Sequence, residues 1–79
     1  MNWREHITVD PEICHGVPCF RRTRVMVFIV LDNLAAGISP EAILREYPSL
    51  RPEAVSAAIC FAAELVRERV VELPGSDAA

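Results

Sequence analysis

The hydrophobic and polar positions along the chain predict a short β hairpin followed by helices. His6–Val9 is a short β-prone segment, and Asp10–Pro11 ends it because proline has no amide donor and biases the preceding residue towards extended geometry. Thr23–Val25 is a second β-prone segment, and we expect it to pair with the first. Two strands alone are only marginally stable, so the hairpin must pack against helices or against another subunit.

The apolar run Val25–Leu31 is followed by signals that favour a helix over a strand. Periodicity alone does not separate the two structures in so short a run. Helix-forming residues follow it, however, and Gly37 is the kind of residue that commonly ends a helix. We therefore predict a first helix over residues 26–36.

Two further helices are predicted from their start signals. Ser39–Glu41 combines a capping serine, a proline at the first helical position and an acid in the first turn. Pro48 stops this helix, which gives it residues 39–47. Arg51–Glu53 opens a third helix with the same order of proline and acid, and we expect that helix to run from residue 51 to about residue 72.

The third predicted helix is apolar on more than one face. Its main stripe consists of Val55, Ala58, Ile59, Ala62, Leu65 and Val66. The stripe is widened by Ala54, Ala57, Cys60 and Phe61. Such a helix must be covered on both sides, and one short chain has only two other helices to do so. We therefore predict a homodimer with this helix near the two-fold axis; the alternative is a monomer that folds both other helices over it.

The second and third predicted helices resemble a helix-turn-helix pair, with the first helix as the third member of the unit. The predicted fold class is mainly α: a three-helix, homeodomain-like unit preceded by a short β element. It forms one domain over residues 1–72, with a disordered tail at 73–79. The early turns of the third helix offer Arg51, Glu53 and Ser56. That set is poor in the side chains that contact base edges, so direct base readout by this helix is disfavoured.

Charge and composition narrow the class of protein. The 79 residues include eight arginines, no lysine and eleven acids, and the net charge is −3. An acidic chain is a poor non-specific nucleic-acid binder. Residues 1–24 nevertheless carry four arginines against three acids (+1), whereas residues 25–79 carry four against eight (−4). No signal peptide or membrane span is visible, and three cysteines do not suit a secreted disulfide scaffold, so we expect a cytoplasmic protein.

Ile13–Val25, with the sequence ICHGVPCFRRTRV, concentrates the residues that carry chemistry. A metal site would draw on Cys14, His15 and Cys19, with His6 or Cys60. Structural zinc needs four ligands, commonly in closely spaced pairs, and no second pair exists. A nucleophilic cysteine needs a histidine base beside it, but sequence neighbours usually point apart. We therefore expect a non-enzyme with no metal, no cofactor and no small-molecule substrate, in which the cysteines are packing residues.

The three arginines of this stretch suggest an anion-binding role instead. In an extended segment Arg22 and Arg24 would share one face and Arg21 would lie on the other. Guanidinium groups bind phosphates or a partner's carboxylates through paired hydrogen bonds. For Arg24 we favour a structural role, bonded to an inner acid such as Asp10.

The segments ITVDPEICHGVPCFRRTRV and LAAGISPEAILREYPSLRPEAVSAAICFAA carry a family resemblance. Over roughly residues 5–66 the chain resembles the small prokaryotic DUF433 family, which is regarded as antitoxin-like. The matching motifs are Asp10-Pro11, Gly16-x-Pro18, Thr23-Arg24, Leu34-Ala35-x-Gly37, Ser39-Pro40-Glu41, Ile43-Leu44, Tyr47-Pro48-x-Leu50 and Val55-x-x-Ala58. Arg22 stands where the family usually has glycine, and Met26 stands where it often has proline.

The resemblance implies a three-helix, homeodomain-like fold and a neighbouring gene for a PIN-like ribonuclease toxin. The small protein would bind that toxin, cover its acidic metal-dependent active site and repress the operon as a dimer bound to operator DNA. We assign binding of the toxin or nucleic acid to Arg21, Arg22, Arg24 and Arg51, and loop shaping to Gly16 and Pro18. The rival hypothesis is a stand-alone helix-turn-helix DNA-binding regulator; an enzyme subunit and a purely structural dimerisation module are further alternatives.

Overall fold

A two-stranded antiparallel sheet and three helices make up the fold. The computed structural model describes residues 1–68. The elements are β1 (Ile7–Thr8), β2 (Cys19–Phe20), α1 (Val27–Ala35), α2 (Pro40–Glu46) and α3 (Ala54–Glu68), with 3-10 turns at Trp3–Glu5 and Cys14–Gly16. The predicted continuation of the third helix to residue 72 and the predicted tail at 73–79 lie outside the described residues. Within those residues, no helix has the length and apolar character needed to cross a membrane.

The hairpin forms, but its second strand is not where the sequence pattern predicted it. β1 lies inside the predicted segment His6–Val9 and pairs with β2, with Ile7 opposite Phe20 and Thr8 opposite Cys19. The predicted strand at Thr23–Val25 is wrong because the Thr23 hydroxyl bonds the local backbone instead. It donates to the Phe20 carbonyl at 2.8 Å and accepts from the amide of Val25 at 3.0 Å, a turn-forming pattern typical of threonine.

The predicted end of the first helix is confirmed. Gly37 has a φ of +86°, in the left-handed region that glycine adopts without strain. Its amide donates to the Leu34 carbonyl at 3.0 Å, and the next amide, of Ile38, donates to the Asn33 carbonyl at 3.0 Å. This pair of bonds is a Schellman motif, so α1 ends within a residue of the predicted position.

The start signals of the second and third helices differ in strength. Ser39 caps α2, because its hydroxyl accepts from the amide of Ala42 at 3.2 Å, and Pro40 is the first helical residue. The third helix was predicted from Arg51 but begins at Ala54, after a turn closed by the Ala54 amide on the Arg51 carbonyl at 3.0 Å. Arg51 lacks the short polar side chain that lets Ser39 cap a helix.

The hydrophobic core lies between α1, α3 and the hairpin. It consists of Ile7, Phe20, Val27, Val30, Ile43, Leu50, Ala54, Val55, Ala57, Ala58 and Phe61. α1 packs against α3, where Ala57 and Ala58 are fully buried. Within one chain, burial covers only part of the predicted stripe, since Ile59, Leu65 and Val66 are exposed by 50%, 48% and 73%. The buried residues of α3 are Ala54, Val55, Ala57, Ala58 and Phe61.

The N-terminal 3-10 turn packs on α3. The Trp3 ring meets the Phe61 ring edge to face, with centroids 4.8 Å apart, and its indole Nε1 donates to Oε2 of Glu64 at 3.0 Å. Arg4 binds the same oxygen at 3.0 Å and lies 4.4 Å from the centre of the Trp3 ring. The packed N-terminus supports the neighbouring hairpin and, through it, the candidate site.

Candidate functional site

The three clustered arginines lie on a tight turn between β2 and α1, here called the arginine turn (Arg21–Arg24). The Thr23 amide donates to the Phe20 carbonyl at 3.1 Å, and the Arg21 amide donates to the His6 carbonyl at 2.8 Å. Arg22 has a φ of +65°, a left-handed conformation that L residues rarely adopt. The turn therefore keeps a backbone suited to glycine although it carries an arginine, and all three guanidinium groups are exposed.

Arg21 is oriented by the N-terminal segment. Its Nε donates to the backbone carbonyl of Arg4 at 3.1 Å, and Arg4 itself is tied to Glu64 on α3. A guanidinium group has five N–H donors, so this bond fixes the side chain and leaves further donors for a ligand. The side chain of Arg21 is thus positioned by backbone rather than by an acid.

Arg21, Arg22 and Arg51 line one depression of about 330 Å³, which we call the arginine depression. Arg51 reaches it from the loop before α3, 29 residues after Arg22 in the chain. Glu5 and His6 complete its charged or titratable lining. With His6 neutral, three arginines against one glutamate give the lining a net charge of +2.

Arg24 does not line the arginine depression. Together with Arg22 it lines a second, more open depression, which also includes Thr8, Ile13 and Ser49. The predicted alternation of Arg21 against Arg22 and Arg24 assumed an extended strand, and it is replaced by a turn in which Arg22 borders both depressions. Of the four predicted binding arginines, Arg22 therefore shares one depression with Arg21 and Arg51 and the other with Arg24.

The predicted bond between Arg24 and Asp10 is not formed. The Asp10 carboxylate accepts from the amide of Glu12 at 2.9 Å, the local turn that aspartate favours ahead of a bend, and the Arg24 side chain is exposed. Among residues 1–68, neither Arg51 nor any arginine of the turn is within 4.0 Å of a described carboxylate. No carboxylate in the described part of the chain therefore forms an ion pair with these four guanidinium groups.

The loop before β2 has the shape expected from Gly16 and Pro18, with one surprise. Gly16 has a φ of +81°, as a turn glycine does, but Cys14 and His15 also have positive φ values of +51° and +57°. The Pro18 carbonyl accepts from the amide of Val27 at 3.0 Å and so links the loop to the start of α1. The left-handed backbone of Gly16 and the bond from the Pro18 carbonyl to α1 are consistent with the loop-shaping role predicted for these two residues.

Both cysteines of the loop are buried against the arginine turn. The Cys14 thiol lies 3.8 Å from the Arg24 carbonyl and the Cys19 thiol lies 3.8 Å from the Thr23 carbonyl. Burial raises the pKa of the Cys19 thiol, and the neighbouring Cys14 thiol raises it further. In the described part of the chain, no group of three or more His, Cys, Asp or Glu side chains could hold a metal ion.

The Trp3–Glu64 contact belongs to the surroundings of the site, although no sequence motif marked it. The two residues are 61 positions apart, and the Trp3 side chain is part-buried. The available signal was a lone tryptophan in an otherwise polar N-terminal stretch, since a large aromatic side chain usually finds an apolar surface to cover. Through Arg4, this contact fixes the carbonyl that holds Arg21.

Comparison with known proteins places the chain beside uncharacterised relatives. A family model described as "Protein of unknown function (DUF433)" matches residues 7–62. The chain is 42% identical over 59 residues to "Uncharacterized protein y4eO" of Sinorhizobium fredii (strain NBRC 101917 / NGR234), a match that covers 75% of this chain and 27% of that protein. Its fold is similar to the crystal structure of a DUF433 member protein from Anabaena variabilis ATCC 29413, with a TM-score of 0.70 and 27% identity.

The matched regions differ in extent. The similarity to the Anabaena protein covers 78% of this chain and 61% of that one. The chain therefore spans about a quarter of the length of the curated relative and about three-fifths of the solved chain. The shared part includes the hairpin, the arginine turn and the helices, because the family match runs from β1 into α3.

Proposed function

The chain belongs to the DUF433 family, and from that premise we propose that it is an antitoxin-like protein that binds and neutralises a PIN-like ribonuclease toxin. The observation that carries the proposal is the arginine depression. Guanidinium groups from two separate segments line it, and none of them is paired with a described carboxylate. The proposed role is binding, with no reaction catalysed by this chain.

The chemistry of the arginine depression suits an acidic partner surface. Arg21, Arg22 and Arg51 can each form paired hydrogen bonds with a carboxylate, in a geometry that a lysine would not provide. A hydrogen bond to a charged group contributes about 1.5–3 kcal/mol. A toxin whose active site gathers carboxylates around a metal ion would offer several such acceptors close together, so the arginines would compete with the metal for them.

We propose that the protein acts as a homodimer through the outer face of α3. Ile59, Ala63 and Val66 lie four and then three residues apart, which places them on one side of a helix. Ile59 and Val66 are exposed by 50% and 73%. A second copy would remove this apolar surface from water, and it would leave the arginine turn of each copy free.

The dimer is tested by sedimentation of three proteins at micromolar concentration. The wild type is expected to be a dimer, and Ile59→Glu combined with Val66→Glu is expected to be a monomer that keeps its helical circular dichroism. Val9→Glu is the matched control, because Val9 is 56% exposed but lies on the loop after β1. A wild-type monomer, or a double variant that still dimerises, would contradict this interface.

Neutralisation is tested with the product of the neighbouring gene. We expect the wild type to inhibit its ribonuclease activity near one-to-one stoichiometry. Arg21→Ala combined with Arg22→Ala should require at least about 100-fold more protein, because two charged bonds are lost and each is worth about 1.5 kcal/mol or more. Arg45→Ala combined with Arg67→Ala is the control, since both arginines are exposed and the net charge changes equally. Full inhibition by the first variant would rule out the proposed site.

A second candidate function is a stand-alone DNA-binding regulator. The order α2, turn, α3, with Arg51 at the turn, favours it, and the arginine turn could contact operator phosphates. Self-repression by an antitoxin dimer would use the same contacts. A gel shift with the DNA upstream of the gene, with and without the neighbouring product, separates the two hypotheses. A shift that is unaffected by that product, together with no inhibition of it, would favour the regulator.

A further inference from the structure

The arginine depression carries more hydrogen-bond donors than a single carboxylate can use. Arg21, Arg22 and Arg51 all line it, and each guanidinium group has five N–H donors in a planar fork. A carboxylate has two oxygen atoms, which suit one bidentate guanidinium group. A phosphate monoester has three terminal oxygens and a charge of about −1.5 to −2 at neutral pH. Three guanidinium groups on one depression therefore suit a phosphate monoester better than a lone carboxylate.

The charge and the size of the depression match the same class of ligand. With His6 neutral, three arginines against Glu5 give the lining a net charge of +2, which balances the charge of a phosphate monoester. The volume of about 330 Å³ lies at the lower end of the range of about 300–1,000 Å³ that small-molecule sites occupy. The depression can therefore hold the phosphate and part of the organic group that carries it. Its apolar lining comes from Phe20, Leu50 and Ala54.

Arg21 is oriented before any ligand binds. Its Nε donates to the backbone carbonyl of Arg4 at 3.1 Å, and this bond leaves the terminal Nη donors of Arg21 unused. Within residues 1–68, no carboxylate lies within 4.0 Å of the guanidinium groups of the depression. A side chain that is already fixed loses less conformational entropy when a ligand binds. The bond to Arg4 therefore favours binding of an anion at Arg21.

Arg22 occupies a backbone position that costs free energy. Its φ of +65° lies in the left-handed region, which is unfavourable for an L residue. Strain of this kind is concentrated at ligand-binding and switch segments of proteins. The Arg22 side chain is exposed, so burial of that side chain does not offset the cost. Contact with a ligand gives an arginine at this position a role that its packing within the chain does not.

We propose that the arginine depression is a binding site for a small phosphate monoester, whose terminal phosphate is held by Arg21, Arg22 and Arg51. Ser49 lines the same depression, and its hydroxyl is a further donor. A phosphodiester has two terminal oxygens and a single charge, so the backbone of a nucleic acid uses these donors less fully. A bound phosphate monoester occupies the guanidinium groups that we assign to the toxin's carboxylates. Competition with the toxin rests on the proposed function, whereas binding of the phosphate does not.

The experiment titrates the full, isotope-labelled chain slightly above neutral pH and follows the titration by NMR. The probes are inorganic phosphate, phenyl phosphate (a monoester) and dimethyl phosphate (a diester). We expect inorganic phosphate and phenyl phosphate to bind saturably, with the largest shifts at Arg21, Arg22 and Arg51. Phenyl phosphate should bind at least as tightly as inorganic phosphate, because the depression has room for the ring. Dimethyl phosphate should bind at least about tenfold more weakly, because it lacks one charged acceptor oxygen.

Two single variants separate the depression from general attraction of anions to the arginine turn. Arg51→Ala should weaken the binding of phenyl phosphate by about tenfold or more, as expected for the loss of one charged hydrogen bond. Arg24→Ala is the matched control, because Arg24 lies on the arginine turn but does not line the depression, and it should bind within about threefold of the wild type. Both side chains are exposed, so neither variant removes a core contact, and circular dichroism checks that both fold.

Four results would overturn the proposal. They are the absence of saturable binding of both inorganic phosphate and phenyl phosphate, equal affinity for phenyl phosphate and dimethyl phosphate, binding of inorganic phosphate with exclusion of phenyl phosphate, and an equal loss of affinity in Arg51→Ala and Arg24→Ala. Inhibition of the neighbouring gene's product by the phosphate-free chain tests the proposed function separately. A chain that binds phenyl phosphate but does not inhibit that product would contradict the proposed function and support the phosphate site.

Discussion

Replacing Arg22 with glycine should stabilise the fold while removing one arginine from the proposed binding site. Arg22 has a φ of +65°, and relieving an L residue of that conformation is worth roughly 1–2 kcal/mol. About 0.5–1 kcal/mol of this stabilisation is lost, because glycine makes the unfolded chain more flexible. The free energy of unfolding should therefore rise by about 0.5–1 kcal/mol, which for a domain of this size raises the melting temperature by about 2–8 °C.

Urea denaturation followed by circular dichroism measures this change, with two controls. Arg24→Gly removes a neighbouring exposed arginine whose φ is not positive, so it should lower the free energy of unfolding by about 0.5–1 kcal/mol. Arg22→Ala keeps a Cβ atom in the strained conformation and should leave stability nearly unchanged. If Arg22→Gly is as destabilising as Arg24→Gly, the left-handed conformation of the turn is not the source of strain.

Three further predictions concern the fold around the site. Trp3→Phe keeps an aromatic ring on Phe61 but removes the indole donor to Glu64, and urea denaturation should show a loss of about 1 kcal/mol. Ile43→Ala removes most of a side chain that is 1% exposed and leaves a cavity, so the free energy of unfolding should fall by about 2–5 kcal/mol in the same assay. Burial raises the pKa of Cys19, so the folded chain holds that proton more firmly than the unfolded chain, whose thiol ionises near pH 8.5. Stability should be full below that pH and fall as pH rises through the raised folded pKa; Cys19→Ala should flatten this alkaline decline, and an unchanged decline would assign it to another group.

The helix ends were predictable because their signals are local. Gly37 supplies a left-handed residue, and Ser39 supplies a hydroxyl that accepts from an amide three residues ahead. Each signal acts within one turn of chain and needs no tertiary contact. The start of α3 was predicted less well, since Arg51 opens a turn rather than a helix.

The position of the second strand and the choice of the buried face of α3 depend on local and tertiary interactions that the sequence pattern does not reveal. Thr23 is a good strand residue by propensity, but here its hydroxyl closes a turn on Phe20. α3 is apolar nearly all round, so the pattern cannot show which face α1 will cover. In the folded chain Ala57 and Ala58 are fully buried, whereas Ile59 is half exposed.

The candidate site was predictable where its residues are adjacent in sequence. The cluster of Arg21, Arg22 and Arg24 is visible in the sequence, and tertiary folding brings Arg51 to the depression that Arg21 and Arg22 line. The orientation of Arg21 was not predictable, because it depends on the carbonyl of Arg4 and thus on packing of the N-terminus. Contacts between segments so distant in sequence can be identified only from the folded structure.

Titration calorimetry of the proposed partner, the product of the neighbouring gene, with Arg22→Ala combined with Arg51→Ala tests the arginine depression most directly. These two side chains come from different loops and meet only in the folded protein. Loss of two charged contacts, each worth about 1.5 kcal/mol or more, predicts at least about 100-fold weaker binding. Arg45→Ala combined with Arg67→Ala carries the same change in charge and should bind within about threefold of the wild type. Equal affinity of the two double variants for the toxin would contradict a site built from Arg22 and Arg51.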